Sequence, residues 1–287
     1  MVRVWFYIFY IMSHKDLNLE QKIDILKNRR KTNFTSTISD ERWDELSYNG
    51  VLISDLVSWW SIGKVIGHLW LKKDLPKYAC QFIEMVMILL ADHGPAVSGA
   101  TNAIITARAG KDVVSSLIAG LATIWPRFGG AVTWAGSWIV DAVDRDLSPQ
   151  ELVWEMKKQW RLILWIWHKV KSLYNPDTRC KILQKMSSSF PSTKHLHFAL
   201  EVEKITLQKK INLILNVDGH IAALLCDMLV DIWYTPVQIK KMVENDLFNS
   251  FFVLSRSIWF IGHYLDQKRL SEGLYRTPWE DINYDIA

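Results

Sequence analysis

Most hydrophobic positions along the chain recur at helical spacing. Residues 78–93, YACQFIEMVMILLADH, are nearly all apolar, which is typical of a buried helix. Capping boxes, in which serine or threonine is followed by proline and then by glutamate or glutamine, begin at Ser148 and Thr235. Helical periods continue through HLHFALEVEKITLQK and DLFNSFFVLSRSIWFIGHYLDQKRL. The pattern predicts a protein that is mostly α-helical.

One segment has the residue types of β-strands. Residues 33–50, NFTSTISDERWDELSYNG, contain two β-prone runs around Glu41–Asp44 and predict a short β-hairpin near residues 33–48. A hairpin turn favours a residue that tolerates positive φ. Trp43 is poorly suited to that turn, whereas glycine would fit it.

Composition narrows the class of ligand. The chain has 287 residues, of which 49% are hydrophobic and 22% charged, and its net charge is +4. Such a mild positive charge suits small anionic ligands and argues against nucleic acid as a partner. The three cysteines form no CxxC pair, so we expect neither a disulfide nor a zinc site, and we expect a reducing, cytoplasmic location.

The first 12 residues, MVRVWFYIFYIM, are apolar. Such a run is too short to span a bilayer, and no small-residue cleavage site follows it. We therefore expect no membrane association, and we interpret the run as the remnant of an upstream segment or as a misassigned start.

Tryptophan and glycine are present in unusual amounts. The chain has 15 tryptophans and 13 glycines. An ordinary glycine content of about 7% would give roughly 20 glycines in a chain of this length. The tryptophan excess is therefore similar in size to the glycine deficit.

Three long segments resemble a known family. They are residues 91–121, ADHGPAVSGATNAIITARAGKDVVSSLIAGL, residues 212–222, NLILNVDGHIA, and residues 260–282, FIGHYLDQKRLSEGLYRTPWEDI. These segments are similar to the C-terminal, citrate-synthase-like module of ATP-citrate lyase and to free-standing citryl-CoA lyase. The resemblance covers about residues 33–284.

The resemblance implies an all-α, citrate-synthase-like fold of two domains with the short β-hairpin near its start. Residues 33–94 and 226–287 would form a large domain and residues 95–225 a small domain, with the active site in the cleft between them. Residues 1–32 would be an N-terminal extension outside the resemblance.

The chemistry of that family needs two acid/base or hydrogen-bonding groups and one carboxylate. Breaking a C–C bond beside a thioester forms an enolate, which requires proton exchange at carbon and donors to the enolate oxygen. By resemblance, His93 in ADHGP hydrogen-bonds the thioester carbonyl, His168 acts on the citryl hydroxyl, and Asp218 in NVDG exchanges the methyl proton. Each residue alone would have a structural interpretation; together, in family order, they indicate a catalytic set.

Citrate carries three carboxylates, which guanidinium groups bind well. The resemblance assigns them to Arg179 in NPDTR, Arg256 in LSRS and Arg276 in LYRTPW, the last reaching a neighbouring subunit's site. Lys169 stands where the family has arginine, and it keeps the charge without the bidentate fork. The residues predicted to bind coenzyme A are Lys157, Lys158, Arg161, Leu164, Trp165, Ile166, Trp167, Lys209 and Lys210. For the basic residues among them, an equally good interpretation is that they lie on solvated helix faces.

The family pattern also bears on the tryptophans. It has glycine where this chain has tryptophan at positions 43, 125, 160, 165, 167 and 259, whereas Trp70 and Trp279 match family tryptophans. We hypothesise that the natural protein has glycine at these six positions because its lineage reads the codon UGA as glycine, with Trp233 a weaker seventh. Restoring six glycines would raise the count from 13 to 19. The alternative is that all fifteen tryptophans are genuine and form an aromatic core, with Trp165 and Trp167 filling the coenzyme A groove.

The resemblance implies reversible cleavage of citryl-CoA to acetyl-CoA and oxaloacetate by a homo-oligomer, a dimer or a tetramer, with coenzyme A as the thioester carrier and no metal. The chain has no Gly-rich phosphate loop, so the ATP-grasp and succinyl-CoA-synthetase-like portion would lie on an upstream segment or partner subunit, or be absent from a free-standing lyase. Two alternatives remain: a plain citrate synthase, and a degenerate, non-catalytic oligomerisation module.

Overall fold

The computed structural model describes residues 34–42, 44–125 and 128–285. The chain divides into two compact units, Met1–Asp55 and Leu56–Ala287. The predicted extension over residues 1–32 and the turn residue Trp43 lie outside the described residues. The predicted division into a large and a small domain stays a prediction.

The first unit contains a three-stranded antiparallel sheet. Its strands are β1 (Ser39–Asp40), β2 (Ser47–Tyr48) and β3 (Val51–Leu52), in the order β1-β2-β3. Strands β1 and β2 form the predicted hairpin, whereas β3 was not predicted. It follows β2 through a two-residue turn at Asn49 and Gly50, whose φ angles of 47° and 87° are those that a tight hairpin turn requires.

Helices make up most of the described residues, as the sequence predicts. Within residues 34–42, 44–125 and 128–285 they are α1 (Ile53–Trp59), α2 (Ile62–Ile66), α3 (Lys77–Leu90), α4 (Ser98–Arg108), α5 (Val113–Leu121), α6 (Ala131–Asp144), α7 (Pro149–Lys158), α8 (Thr178–Ser187), α9 (Lys194–Leu207), α10 (Val217–Asp231), α11 (Pro236–Glu244) and α12 (Leu247–Arg269), with a π-helical turn Gly67–Leu71 and a 3-10 turn Trp279–Asp281. No helix among these residues is long and apolar enough to cross a membrane.

Both predicted capping boxes are present. The Ser148 hydroxyl accepts a hydrogen bond from the Glu151 amide at 3.3 Å, and the Glu151 carboxylate accepts one from the Ser148 amide at 2.7 Å. Thr235 and Gln238 repeat this exchange at the start of α11. These boxes satisfy amides that the first helical turn leaves unpaired, so α7 and α11 begin where the sequence indicates.

Helix α10 is the centre of the second unit. Every residue from Gly219 to Leu229 is buried, and the helix packs against α6, α8 and α9. The 23-residue helix α12 packs against α3, α4, α5 and α6. Because α10 is buried on nearly all sides, its first turn brings Asp218 to the edge of the core.

Three of the tryptophans that the structure describes adopt a backbone conformation that favours glycine. The φ angles of Trp125, Trp160 and Trp233 are 78°, 55° and 72°. A side chain with a Cβ costs about 1–2 kcal/mol in this left-handed region, and a bulky residue there is an outlier. Trp160 is 96% and Trp233 88% exposed, so neither indole gains much from burial. This geometry favours glycine at positions 125, 160 and 233.

The other described tryptophans of that hypothesis, Trp165, Trp167 and Trp259, do not have positive φ angles. Trp165 is 1% and Trp259 5% exposed, and the Trp259 ring stacks on Phe260 at 5.2 Å between ring centroids. Trp167 is half-exposed. The backbone therefore distinguishes positions 125, 160 and 233 from positions 165, 167 and 259.

Candidate active site

His93 lies in the connection between α3 and α4. The turn around it is held by Asp92, whose carboxylate accepts a hydrogen bond from the Gly94 amide at 2.7 Å, and Gly94 has a φ of 84°. Partial burial lowers the pKa of His93, and the neighbouring cations Arg256 and Arg179 lower it further. His93 is therefore neutral at pH 7 and can donate a hydrogen bond to a carbonyl oxygen.

His168 lies in the connection between α7 and α8. Its Nδ1 accepts hydrogen bonds from the amides of Val170 at 3.1 Å and Lys171 at 2.9 Å. Nδ1 is thus an acceptor, so the ring hydrogen of neutral His168 is on Nε2. Partial burial lowers the pKa of His168, whereas the nearby Asp177 carboxylate raises it. Nε2 is the nitrogen that remains available to a substrate.

Asp218 lies in the first turn of α10. The preceding Asn216 caps the helix, its side-chain oxygen accepting a hydrogen bond from the Gly219 amide at 3.0 Å. Burial raises the pKa of Asp218 to about 6, against the opposing effect of Arg179 and Arg256. A carboxyl group with a pKa near neutrality can both take and give a proton at physiological pH.

The segments that carry His168 and Asp218 are paired with each other. The His168 amide donates to the Asn212 carbonyl at 3.2 Å, and the Asn216 amide donates to the Trp165 carbonyl at 3.0 Å. The Asn216 side-chain amide also donates to the Trp167 carbonyl at 3.3 Å. These hydrogen bonds, two between backbone groups and one from the Asn216 side chain, hold the two segments side by side.

Arg256, on α12, is a buried cation with unused donors. It is 2% exposed, and its Nε and Nη1 have no hydrogen-bond partner. Its guanidinium lies 4.7 Å from the Phe252 ring centre and 4.6 Å from that of Trp259. Burial lowers its pKa to about 10. Unsatisfied buried donors on a cation are costly, and an anionic ligand would satisfy them.

Arg179, at the start of α8, is held by a neighbouring carboxylate. Its Nε and Nη2 donate to Asp177 at 3.1 and 2.7 Å. Asp177 is buried and lies 3.9 Å from Nε2 of His168. Two donors on one edge of the guanidinium are thus engaged, in contrast to Arg256.

The structure brings five of the predicted residues together. The charges of Arg179 and Arg256 act on both His93 and Asp218, and His93 also interacts with His168. In the described chain, Lys169 and Arg276 are exposed and form no hydrogen bond or ion pair with these five. Arg276 lies in the exposed segment after α12.

A cavity of about 600 Å³ lies beside the connection that carries His168. Apolar side chains from the connection over residues 161–167 and from α7 form most of its walls, with basic side chains among them. The half-exposed Trp167 forms part of one wall, so this indole narrows the groove without filling it. Six of the residues predicted to bind coenzyme A line this cavity: Lys157, Arg161, Leu164, Ile166, Trp167 and Lys209.

The other three predicted residues lie outside that cavity. Lys158 and Lys210 are exposed. Trp165 is buried and lines a second cavity of about 380 Å³ together with Trp134 and Trp138.

The sequence did not indicate Asp177 or Asn216. Both are N-caps, of α8 and α10, and their residue types and positions before a helix are visible in the sequence. Their contacts with Arg179, His168 and the Trp165–Trp167 backbone depend on the tertiary fold, which no local pattern shows.

This arrangement is a helical fold with two histidines, a carboxyl group of raised pKa and a buried arginine around one site, beside an apolar groove. Residues 61–277 match the family model of the citrate synthase C-terminal domain. The chain therefore belongs to the citrate synthase family.

Relatives and solved structures agree with this assignment. The chain is 52% identical to human ATP-citrate synthase over 259 residues, 89% of this chain but 24% of that protein. ATP citrate lyase from Methanothrix soehngenii, solved with citrate and coenzyme A, superposes with a TM-score of 0.88 at 47% identity over 94% of this chain and 44% of that one. Citryl-CoA lyase from Hydrogenobacter thermophilus shares the fold, with a TM-score of 0.77 at 23% identity over 89% of this chain and 96% of that one. The chain thus spans about a quarter of the human relative.

Proposed function

We propose that this chain reversibly cleaves citryl-CoA to acetyl-CoA and oxaloacetate. The observation that carries the proposal is the convergence of His93, His168 and Asp218 with the unsatisfied guanidinium of Arg256. The similarity to ATP citrate lyase solved with citrate and coenzyme A supports the same substrate class.

Each group has a role that its surroundings favour. Neutral His93 donates a hydrogen bond to the thioester carbonyl, where the enolate oxygen develops. His168 uses Nε2 to hydrogen-bond the citryl oxygen that becomes the oxaloacetate carbonyl. Protonated Asp218 gives its proton to the methyl carbon as the C–C bond breaks, and takes it back in the reverse direction. Nε2 of neutral His168 already carries a hydrogen, so the hydroxyl proton leaves to solvent, and Asp218 regains a proton from solvent before the next turnover. The hydroxyl thus loses one proton and the methyl carbon gains one.

The remaining predicted residues bind the two ends of the substrate. Arg256 is the strongest receptor for a citryl carboxylate because its donors are free and dehydrated. The apolar cavity would take the pantetheine arm, and Lys157, Arg161 and Lys209 at its walls would bind coenzyme A phosphates. The citryl-CoA lyase role requires no metal.

The larger assembly follows from the same proposal. The chain would act in a homo-oligomer, with Arg276 reaching the site of a neighbouring subunit. An ATP-using portion, on the same polypeptide or on a partner subunit, would supply citryl-CoA. Its three cysteines are buried free thiols, which suits the proposed cytoplasmic location.

Product analysis tests the reaction. Purified protein given citryl-CoA should release oxaloacetate, detected through NADH oxidation by malate dehydrogenase, and equimolar acetyl-CoA, detected by mass spectrometry. Citrate and free coenzyme A in their place would indicate a plain citrate synthase. Unchanged citryl-CoA would contradict the proposal and favour a non-catalytic module.

Lys169→Arg should tighten binding of the citryl group. An arginine fork can make two hydrogen bonds to a carboxylate, which we expect to lower KM roughly fivefold, or about 1 kcal/mol, at unchanged kcat. The measurement is the KM for citryl-CoA, with Lys185→Arg, an exposed lysine on α8, as the control. An unchanged KM would show that Lys169 does not contact a carboxylate.

A further inference from the structure

We infer that Asp177 is a positioning residue for the citryl end of the site, holding Arg179 in place and facing the nitrogen of His168 that the substrate must use. The inference rests on the proposed function and adds a residue that the family motif of histidines, carboxylate and arginines does not contain.

The first support is the way in which Asp177 holds Arg179. Its Oδ1 accepts from the Arg179 amide at 2.9 Å and from Nε at 3.1 Å, and its Oδ2 accepts from Nη2 at 2.7 Å. A bidentate pair of this kind fixes both the rotamer and the plane of a guanidinium. Asp177 is 6% exposed, so the pair is shielded from competing water.

The second support is the orientation of His168. Two backbone amides occupy Nδ1, which turns Nε2 towards Asp177 at 3.9 Å from Oδ2. The backbone therefore holds the ring at Nδ1, and the other ring nitrogen, Nε2, lies next to a carboxylate. An oxygen of the substrate that approaches Nε2 meets a ring whose position is set by the backbone and whose charge depends on Asp177.

The charged groups around His168 raise or lower its pKa, and Asp177 acts in the opposite direction to the others. Arg179 and Lys171 lower the pKa of His168, as does burial, and Asp177 raises it. His93 lies close enough for the two rings to interact. Because the other influences all oppose a positive ring, Asp177 is the counter-charge that opposes them and raises the pKa of His168.

The decisive measurement is the titration of His168 by NMR, which does not require activity. The His168 ring signal is assigned by its loss in His168→Ala. In Asp177→Asn, which retains a good helix cap, the pKa of His168 should fall by about one pH unit, because a carboxylate within about 4–6 Å is removed. Asp112→Asn is the matched control, since Asp112 likewise caps a helix, α5, by accepting from the Ser115 amide at 2.8 Å.

A second variant carries the test if Asp177→Asn does not fold. Arg179→Met removes a cation and frees the carboxylate, so the pKa of His168 should rise. An unchanged His168 titration in a folded variant of either kind would overturn the inference.

Kinetics separate this inference from the proposed function. Asp177→Asn should raise the KM for citryl-CoA and shift the pH profile of kcat/KM, and Asp177→Glu should restore part of both. If the unsubstituted chain does not cleave citryl-CoA, the proposed function fails while the titration still decides the role of Asp177.

Discussion

Asp218→Asn should reduce citryl-CoA cleavage roughly 10²–10⁴-fold and at the same time stabilise the folded protein at pH 7.5. Asparagine cannot give the methyl carbon a proton, which accounts for the loss of rate. The gain in stability follows from the pKa of Asp218, which burial raises from 3.8 to about 6. Ionisation of the buried carboxyl lowers the free energy of unfolding as the pH rises above 3.8, by on the order of 3 kcal/mol at pH 7.5.

The raised pKa of Asp218 determines how cleavage activity and stability should depend on pH. Asp218 must be protonated for cleavage, so kcat/KM of the unsubstituted protein should fall as the pH rises above about 6. The stabilisation by Asp218→Asn should diminish as the pH falls from 7.5 towards 4, where aspartate in both folded and unfolded chains becomes protonated. Thermal unfolding at pH 5 and pH 7.5 measures the second effect.

Histidine variants test the roles assigned to His93 and His168. His93→Ala and His168→Ala should each lose activity in the same range, whereas His197→Ala, at an exposed position on α9, should retain it. Near-full activity in Asp218→Asn would show that another group exchanges the methyl proton. If Asp218→Asn were less stable than the unsubstituted protein at pH 7.5, this would contradict the burial of the Asp218 charge.

Replacing Trp125, Trp160 and Trp233 together by glycine should raise Tm by roughly 6–12 °C. Their φ angles of 78°, 55° and 72° cost about 1 kcal/mol each for a residue with a Cβ, and glycine removes that cost. About 3 kcal/mol in total corresponds to this shift for a chain of this size. The indoles of Trp160 and Trp233 are almost fully exposed, so their removal forfeits little burial.

Two controls isolate the backbone effect. Trp160→Ala keeps the Cβ and should leave Tm nearly unchanged. Trp154→Gly removes an exposed indole from the interior of α7, where glycine costs roughly 1 kcal/mol relative to alanine, and should lower Tm. Equal losses of Tm at positions 154 and 160 would refute the argument. Peptide masses from the native source, or the codons themselves, would show whether the natural residues at positions 43, 125, 160, 165, 167 and 259 are glycine and those at positions 70 and 279 tryptophan.

Features that depend on neighbours in sequence were predictable. The helices and both capping boxes follow from local periodicity and from hydrogen bonds within one turn. Strand β3 was missed although Asn49–Gly50 is a strong turn signal, because strands of two residues are too short to show an alternating pattern.

Features of the site that depend on the environment were not predictable. Arg179 and Arg256 look alike as arginines, yet one is held by Asp177 and the other is buried with free donors. The raised pKa of Asp218 comes from its burial at the head of α10. A motif gives the residue type, whereas the surroundings set the charge and the available hydrogen bonds.

The pairing of the His168 segment with the Asn212–Asn216 segment restricts how this site can evolve. A single-residue insertion between Trp165 and His168 would shift one paired segment along the other by about 3.3 Å. That shift would break the hydrogen bonds from the His168 amide to Asn212 and from the Asn216 amide to Trp165, which hold the segment of His168 beside the segment of Asp218. An insertion between Gly110 and Lys111, in the exposed connection between α4 and α5 and before the paired stretch, would be absorbed by the surface. Length variation among functional descendants of this chain is therefore expected before the pairing and not within it.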